Sequence, residues 1–418
     1  MTANIEDLVL SEDQQKAMDA VCDFVADPEQ AVFILRGYAG TGKSTLVAHI
    51  LEFLPRYMKT LHAFNPEYEM METILTATTN KACEALAQIT GDEVRTIHST
   101  LGIRVDYDAK GKSSLSALKA KKIYNKLVFI DEASFLDREM LGYTFEYTEA
   151  CKIIFMGDPA QLAPVNSSTT PVFDMHYPGA ALETVMRQAA GNPIIELATM
   201  FRHAVKSAKW PEEVAHLIDG VHIKHMDRDE FNEAVLEEFT RPDWKFSDSK
   251  VLSWTNARGV QYNKFIREHA KGEPEMQEGD YAIVNSYCSL DKVSFRTDQM
   301  VQITKIEEGE NFETPGKWYE LDHKISLFMP TSLAHRKQAE KRALSEDNGQ
   351  MIFAVRQNWV DLRAVYACTV NKSQGSTYGK AYIDLDDIGS CRNKNTVARM
   401  LYVAFSRARY ELVLTGDL

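Results

Sequence analysis

The chain lacks any apolar run of about 18 residues, the length a helix needs to cross a hydrocarbon core. It also lacks low-complexity tracts and any repeat at a solenoid period. Met1 to Leu10 has neither the basic nor the apolar region of a secretory signal. Cysteine is scarce: Cys22, Cys83, Cys151, Cys288, Cys368 and Cys391 are scattered along 418 residues. That spacing argues against a disulfide framework or a zinc site, and for reduced thiols in a cytoplasmic protein. His216, His222 and His225 form no regular ligand set either. Positive charge is in deficit as well. With 47 lysines and arginines against 60 acidic residues the net charge is −13, which in bulk argues against a polyanionic partner. Binding depends on local fields, however. Between Arg104 and Lys126 lie Arg104, Lys110, Lys112, Lys119, Lys121, Lys122 and Lys126, against only Asp106 and Asp108. This stretch is either a solvated lysine-rich face or a surface that meets phosphates.

The length is too great for one core and implies about three domains. Ala31–Arg36 is a short apolar run leading into glycine, followed by a helical pattern over Lys43–Leu54. Further short buried strands are expected at Thr73–Ala77, Lys126–Ile130 and Lys152–Met156, each ending in a polar cluster. Strands alternating with helices imply a parallel sheet, which binds ligands at the carboxyl ends of its strands. The pattern breaks over Ile103–Tyr124. It resumes with strands at Lys250–Trp254, Arg363–Cys368, Lys380–Leu385 and Glu411–Leu414, and a helix over Asn395–Ser406. Between Gly279 and Pro330 short alternating runs punctuated by Gly309, Pro315 and Gly316 predict a small inserted β-barrel. Ala334–Asn348 reads as an exposed charged helix.

Gly37-Tyr-Ala-Gly-Thr-Gly-Lys-Ser44 is a complete phosphate-binding loop between a strand and a helix. Its glycines let backbone amides face phosphates, Lys43 neutralises the β- and γ-phosphates, and the Ser44 hydroxyl suits Mg²⁺. Leu127-Val-Phe-Ile-Asp-Glu-Ala-Ser134 sets two carboxylates at a strand end. Downstream of such a loop the first, Asp131, suits Mg²⁺ and the second, Glu132, suits a general base for water. The turn after the next strand carries Gln161, a neutral donor able to sense the γ-phosphate, or else a solvent-facing glutamine. Arg187 and Arg407 are guanidinium candidates for the charge that spreads in phosphoryl transfer. Taken alone, Arg187 is an ordinary surface arginine, and Arg407 and Arg409 at a helix end equally suit capping of its dipole. Thr76–Lys81 (with Thr78, Asn80 and Lys81), Thr96–Ser99 (with His98), Trp254–Asn256 and Thr369–Thr377 (with Asn371 and Lys372) are rich in groups that hold a sugar–phosphate backbone. Each is also compatible with an ordinary loop, and His98 with a structural histidine.

Taken in order, these blocks resemble the superfamily 1 DNA helicases of the 5′-to-3′ branch, in the group of phage Dda-like and RecD-like enzymes, over nearly the whole chain. The resemblance implies two RecA-like parallel-sheet domains: one at 1–102 and 125–180, the other at 181–278 and 349–418. It implies a pin at 103–124, with Tyr107 as wedge, and an SH3-like β-barrel insertion with a charged helix at 279–348. Leu10-Ser-Glu-Asp-Gln14 resembles the adenine-recognition motif, so Gln14 would join Gly37, Gly40, Thr41, Gly42, Lys43, Ser44, Thr45 and Gly375 in holding ATP. Arg187 and Arg407 would meet the γ-phosphate. Thr78, Asn80, Lys81, His98, Trp254, Asn256, Thr369, Asn371 and Lys372 would contact nucleic acid, although Asn371 stands where these relatives usually have histidine. The implied activity is ATP- and Mg²⁺-dependent unwinding by a monomer on single-stranded and forked duplex DNA, in phage replication or recombination. A single-stranded-DNA-binding protein would be a partner, no membrane would be involved, and the host cytoplasm would be the setting. Three other classes stay open: a translocase that strips bound proteins, an RNA helicase, and a ring-forming ATPase.

Overall fold

Apolar strands buried on both faces organise each half of the chain, as a parallel sheet covered by helices requires. The computed structural model describes residues 10–107, 113–164, 167, 169–184 and 191–417. The chain divides into two compact units, Met1–Leu217 with Asn393–Ser406, and Ile218–Arg392 with Arg407–Leu418.

In the first unit six parallel strands run in the order Gly179–Leu182, Val32–Gly37, Lys152–Gly157, Lys126–Asp131, Glu72–Ala77 and Val94–Thr96. Side chains alternate between the faces with period two. Phe33, Leu35, Phe129 and Ile154 meet Val21, Phe24, Leu46 and Ile50 on one side. Val128, Ile130, Ile153 and Phe155 meet Ile97, Leu101 and Met140 on the other. The helix after the glycine loop spans Lys43–Phe64, not Lys43–Leu54. Pro55 does not end it, because Pro55 lies on the exposed face while Leu54 and Met58 continue the buried stripe. Arg104–Tyr107 pairs antiparallel with Ser113–Ser116. The tip between them, with Lys110 and Lys112, and the side chain of Tyr107 lie outside the described residues. Lys122 pairs with Glu149 at 2.9 Å, and Lys126 pairs with Glu72, so part of the lysine-rich stretch is already matched by surface acids.

Helices Pro193–Ser207 and Lys394–Phe405 pack on each other within this first unit. Phe201 and Phe405 meet edge to face with ring centroids 5.4 Å apart, and the Asn395 amide donates to the Val205 carbonyl at 3.2 Å. The described residues of 181–184, 191–217 and 393–406 fall in the first unit, whereas the sequence assigned them to the second domain.

The second unit holds a parallel sheet ordered Ile223–Met226, Ala408–Thr415, Tyr378–Asp384, Ser249–Ser253 and Ala367–Thr369. It also holds an antiparallel sheet ordered Ile325–Pro330, Thr314–Leu321, Met300–Asn311, Tyr281–Val284 and Leu362–Ala364. The strand expected at Arg363–Cys368 is two strands. Leu362–Ala364 pairs with Tyr281–Val284, and Ala367–Thr369 pairs with Ser249–Ser253. Buried Asn263 makes the break tolerable: its Oδ1 accepts from the Tyr366 and Ala367 amides, and its Nδ2 donates to the Ala367 carbonyl. The Tyr366 and Ala367 amides and the Ala367 carbonyl thereby avoid the cost that an unpaired buried group carries.

Asp384, fully buried at the end of Tyr378–Asp384, accepts from Arg228 at 2.9 Å, Arg258 at 2.6 Å and the Tyr262 hydroxyl at 2.7 Å. Burial works to raise its pKa, but the donors from Arg228, Tyr262 and Arg258 outweigh it and hold the carboxyl below its ordinary value. A group depressed in this way contributes stability above the ordinary carboxylate range and loses it as pH falls through the folded value. Asp384→Asn should therefore cost about 3 kcal/mol or more at neutral pH, since it leaves two guanidiniums without their buried counter-charge. The loss should shrink in acid. Denaturation followed by tryptophan fluorescence suits the test, because Trp244, Trp254, Trp318 and Trp359 all lie in this unit. An unchanged midpoint at neutral pH would show the network contributes nothing.

Candidate active site

The parallel register sets five sequence blocks along one edge of the first sheet. In spatial order they follow Val32–Gly37, Lys152–Gly157, Lys126–Asp131, Glu72–Ala77 and Val94–Thr96. The edge therefore reads glycine loop, Gln161 turn, Asp131-Glu132, Thr78–Lys81 and His98. The nucleotide candidates fall on adjacent strands, and the nucleic-acid candidates fall on the outer pair.

In the glycine loop, Gly42 caps the following helix with φ +77°, a left-handed conformation that glycine adopts without penalty. A Cβ there would also lie 2.5 Å from the Gln14 side-chain nitrogen. Gln14 is buried and is held at both ends: its Oε1 accepts from the Ser11 amide at 2.9 Å, and its Nε2 donates to the Thr41 carbonyl at 3.2 Å. The residue thus completes the capping box of Glu12–Ala26 and braces the loop. Lys43 Nζ folds back on the Gly37 carbonyl at 2.5 Å, a bond that phosphate oxygens would replace.

Asp131 and Glu132 follow the strand end. Burial pushes the Asp131 carboxyl above the usual range, against the pull of Lys43 and of the Glu132 amide that donates to it at 2.8 Å. Glu132 has φ +52°, a conformation that costs a non-glycine residue about 1–2 kcal/mol. Neighbours hold it there. The Thr78 amide donates to the Asp131 carbonyl at 3.1 Å, and the Thr78 hydroxyl donates to the Glu132 carbonyl at 2.9 Å. Thr78, expected to touch nucleic acid, spends its hydroxyl on fixing the carboxylate pair. His98 is half-buried, and burial lowers its pKa against the opposing charge of Asp137.

The Gln161 turn contains Asp158, a residue the sequence reading passed over. Asp158 is fully buried. Its Oδ2 accepts from the Ala39 amide of the glycine loop at 3.1 Å and from the Tyr402 hydroxyl at 2.5 Å. Its Oδ1 accepts from the Ala160 amide at 2.8 Å. The Ala39 amide also donates to the Tyr402 hydroxyl at 2.9 Å. Burial, and then Asp158, raise the Tyr402 pKa well above its usual value, so the phenol keeps its proton. One turn earlier on the same helix, Arg399 donates to the carbonyls of Pro159 at 2.8 Å and Gln161 at 2.5 Å. The sequence signals for these residues are the Gly157-Asp158-Pro159 turn and the spacing of three between Arg399 and Tyr402 on one helix.

In the second unit the nucleic-acid candidates again fall on adjacent strands, since Ser253 is in register with Thr369. Asp387 accepts from the Trp254 amide at 2.6 Å and from the Thr255 amide and hydroxyl at 2.8 Å, which fixes the loop bearing exposed Asn256. Asn371 and Gly375 are exposed, and Gly375 has φ +73°. Lys372 is not simply presented to solvent. It pairs with Asp298 at 3.1 Å and donates to Asn285 at 2.5 Å. Arg407 is buried and donates to the Ser376 carbonyl at 3.0 Å. Arg409 is an exposed member of the strand Ala408–Thr415. Arg187 lies outside the described residues.

A glycine loop, strand-end carboxylates and a glutamine turn on neighbouring parallel strands define a phosphate-loop nucleotide hydrolase. Residues 9–228 match the family model described as the AAA domain, and residues 364–415 match the UvrD-like helicase C-terminal domain. The chain belongs to the AAA-domain family, as a superfamily 1 helicase of the Dda and RecD type. It is 23% identical over 461 residues to the ATP-dependent DNA helicase dda of Enterobacteria phage T4, covering 96% of this chain and 98% of that one. It is 27% identical over 213 residues to the ATP-dependent RecD2 DNA helicase of Deinococcus radiodurans, covering 50% of this chain and 26% of the relative. A structure of two coordinating Pif1 helicases at forked double-stranded DNA shares the fold, with a TM-score of 0.52, 17% identity, and 99% and 93% coverage.

Tyr402→Phe removes one hydroxyl and leaves the ring. It should cost about 1–3 kcal/mol, because Asp158 stays buried with one donor fewer. Thermal unfolding of the first unit reads the loss. An unchanged transition would mean that water replaces the hydroxyl at no cost.

Proposed function

We propose that this protein is an ATP-dependent DNA helicase that translocates 5′-to-3′ on single-stranded DNA and separates duplex strands. The observation that carries this reading is the order of blocks along one sheet edge, from phosphate loop through Asp131-Glu132 to Thr78 and His98. ATP would be held by Gly37, Gly40, Thr41, Gly42, Lys43, Ser44 and Thr45, with Gln14 at the adenine and Gly375 contributing. The Ser44 hydroxyl and the Asp131 carboxylate are hard oxygen donors that fit Mg²⁺, and the half-buried acid would gain a charge partner when the ion binds. Bound Mg²⁺ would neutralise charge developing on the β- and γ-phosphates. Glu132 would accept the proton of the attacking water, Gln161 would orient that water, and Arg187 and Arg407 would meet the γ-phosphate.

Single-stranded DNA would lie against Thr78, Asn80, Lys81, His98, Trp254, Asn256, Thr369, Asn371 and Lys372. Residues 103–124 are the proposed pin, and the antiparallel sheet within 279–348 is the proposed SH3-like insertion. The partners are forked duplex DNA and a single-stranded-DNA-binding protein, and the acting form is a monomer in the cytoplasm. Among the described residues no helix is long and apolar enough to cross a membrane.

ATPase turnover with and without single-stranded DNA or RNA is the decisive measurement. Strong stimulation by DNA with unwinding of a forked duplex is expected. Stimulation by RNA alone, or turnover without unwinding, would favour the other readings. Lys43→Ala should abolish turnover in a folded protein. Glu132→Gln should still bind Mg·ATP and DNA yet hydrolyse very slowly, because it keeps the shape and loses the base. Failure of that variant to bind nucleotide would make Glu132 structural. Reversal of Lys119, Lys121 and Lys122 to glutamate should weaken DNA binding and flatten its salt dependence, because fewer counterions are released. An unchanged slope would make them a solvated face.

A further inference from the structure

Two cations crowd one ring of the glycine loop. Helix Pro193–Ser207 presents Arg202 and Lys206, four residues apart and so on one face. The Arg202 guanidinium carbon lies 4.0 Å from the centroid of the Tyr38 ring, and Lys206 Nζ lies 4.7 Å from the same centroid. Tyr38 is buried and stands between Gly37 and Ala39 in the loop. Among the described residues no carboxylate lies within ion-pair distance of Arg202 or Lys206, and Arg202 Nε is buried with no hydrogen-bond partner. Arg228, Arg258 and Lys372 have acidic partners, and Lys152, Lys250, Arg336 and Arg399 donate to backbone carbonyls, whereas Arg202 and Lys206 lie against a ring. A ring face attracts a cation by about 0.5–2 kcal/mol, which positions Arg202 without neutralising it.

We propose that Arg202, held against Tyr38, contacts the terminal phosphate of bound ATP, with Lys206 adding to the field. This assignment rests on the reading of Gly37–Ser44 as the nucleotide site. Loop amides account for the α- and β-phosphates and Lys43 reaches the β- and γ-phosphates, which leaves outer oxygens of the terminal phosphate for a further donor. Their position falls towards Ala39, whose amide meets Asp158 and Tyr402 beside the Gln161 turn. Arg202 is on that side, since it stacks on the residue next to Ala39 and its charge reaches the Tyr402 hydroxyl. A planar, permanently charged fork is the group suited to the spread charge of a terminal phosphate.

The test compares binding of ADP and of a non-hydrolysable ATP analogue, both with Mg²⁺, to the full chain and to Arg202→Gln, Arg202→Lys and Lys43→Ala. Arg202→Gln should weaken the ATP analogue roughly 10- to 100-fold, the worth of one charge-assisted hydrogen bond, and leave ADP within about twofold. Arg202→Lys should recover part of the loss. Turnover of Arg202→Gln at saturating ATP should fall while thermal stability holds. Equal weakening of both nucleotides, weakening of neither, or weakening of single-stranded DNA alone overturns the assignment. If Lys43→Ala abolishes nucleotide binding while Arg202→Gln does not change it, only the Arg202 role fails. If the wild-type chain binds neither nucleotide, the reading beneath it fails too.

Discussion

The buried carboxylate of Asp158 is the constraint on which the site depends. A carboxylate withdrawn from water must be matched by donors or it will protonate or move. Here the donors come from three segments far apart in sequence: the glycine-loop amide of Ala39, the local amide of Ala160, and the hydroxyl of Tyr402. Satisfying one acid therefore fixes the loop that faces phosphates, the turn that carries Gln161, and the helix that precedes Arg407. Arg399 repeats the tie one turn earlier through the carbonyls of Pro159 and Gln161. Displacing any of these segments would leave a buried ion short of a partner, and that cost exceeds the worth of a surface contact.

The second organising element is register. Ala77 lies opposite Asp131, so the residues just beyond both strand ends, Thr78 and Glu132, are neighbours by construction. The threonine hydroxyl then secures the left-handed Glu132 backbone. A ligand that pulls on the Thr78 loop would act on the peptide that aims the Glu132 carboxylate, the proposed general base, with no long relay required. Lys372 shows the same economy in the second unit. Its bonds to Asn285 and Asp298 tie a proposed DNA-contact loop to the antiparallel sheet, so a phosphate approaching Lys372 must compete with an existing acid.

What the sequence disclosed and what it hid follow from locality. The glycine loop, the Asp-Glu pair and the strands around them depend on contiguous residues with strong apolar and glycine patterning, and they stand where expected. The break at Val365–Tyr366 was hidden because both flanking strands are apolar, and the bonds that make the interruption tolerable come from the distant Asn263 and Lys250. The continuation past Pro55 was hidden because the penalty for proline depends on which face it occupies. Residues 393–406 looked like part of the second domain by order alone. Their packing on Pro193–Ser207 rests on the Phe201–Phe405 contact and on Arg399, neither of which any local pattern marks.

Charge distribution resolves the tension between a net charge of −13 and a polyanionic ligand. Many acids are spent internally: Asp384 and Asp386 on Arg228, Asp384 on Arg258, Asp298 on Lys372, Asp387 on backbone amides. Bulk charge counts those acids as repulsive although their fields are largely cancelled where they sit. What a phosphate meets is the local remainder. At the glycine loop three cations gather: Lys43 is bonded to carbonyls and Arg202 and Lys206 lie against a neutral ring, and among the described residues no carboxylate lies within ion-pair distance of any of them. Asp131 and Glu132 supply negative charge on the next strand but one, where a divalent ion would reverse its sign. An acidic protein can thus present an anion site, provided many of its acids are paired with cations elsewhere and the acids at this edge are held by amides and a phenol, as Asp158 is.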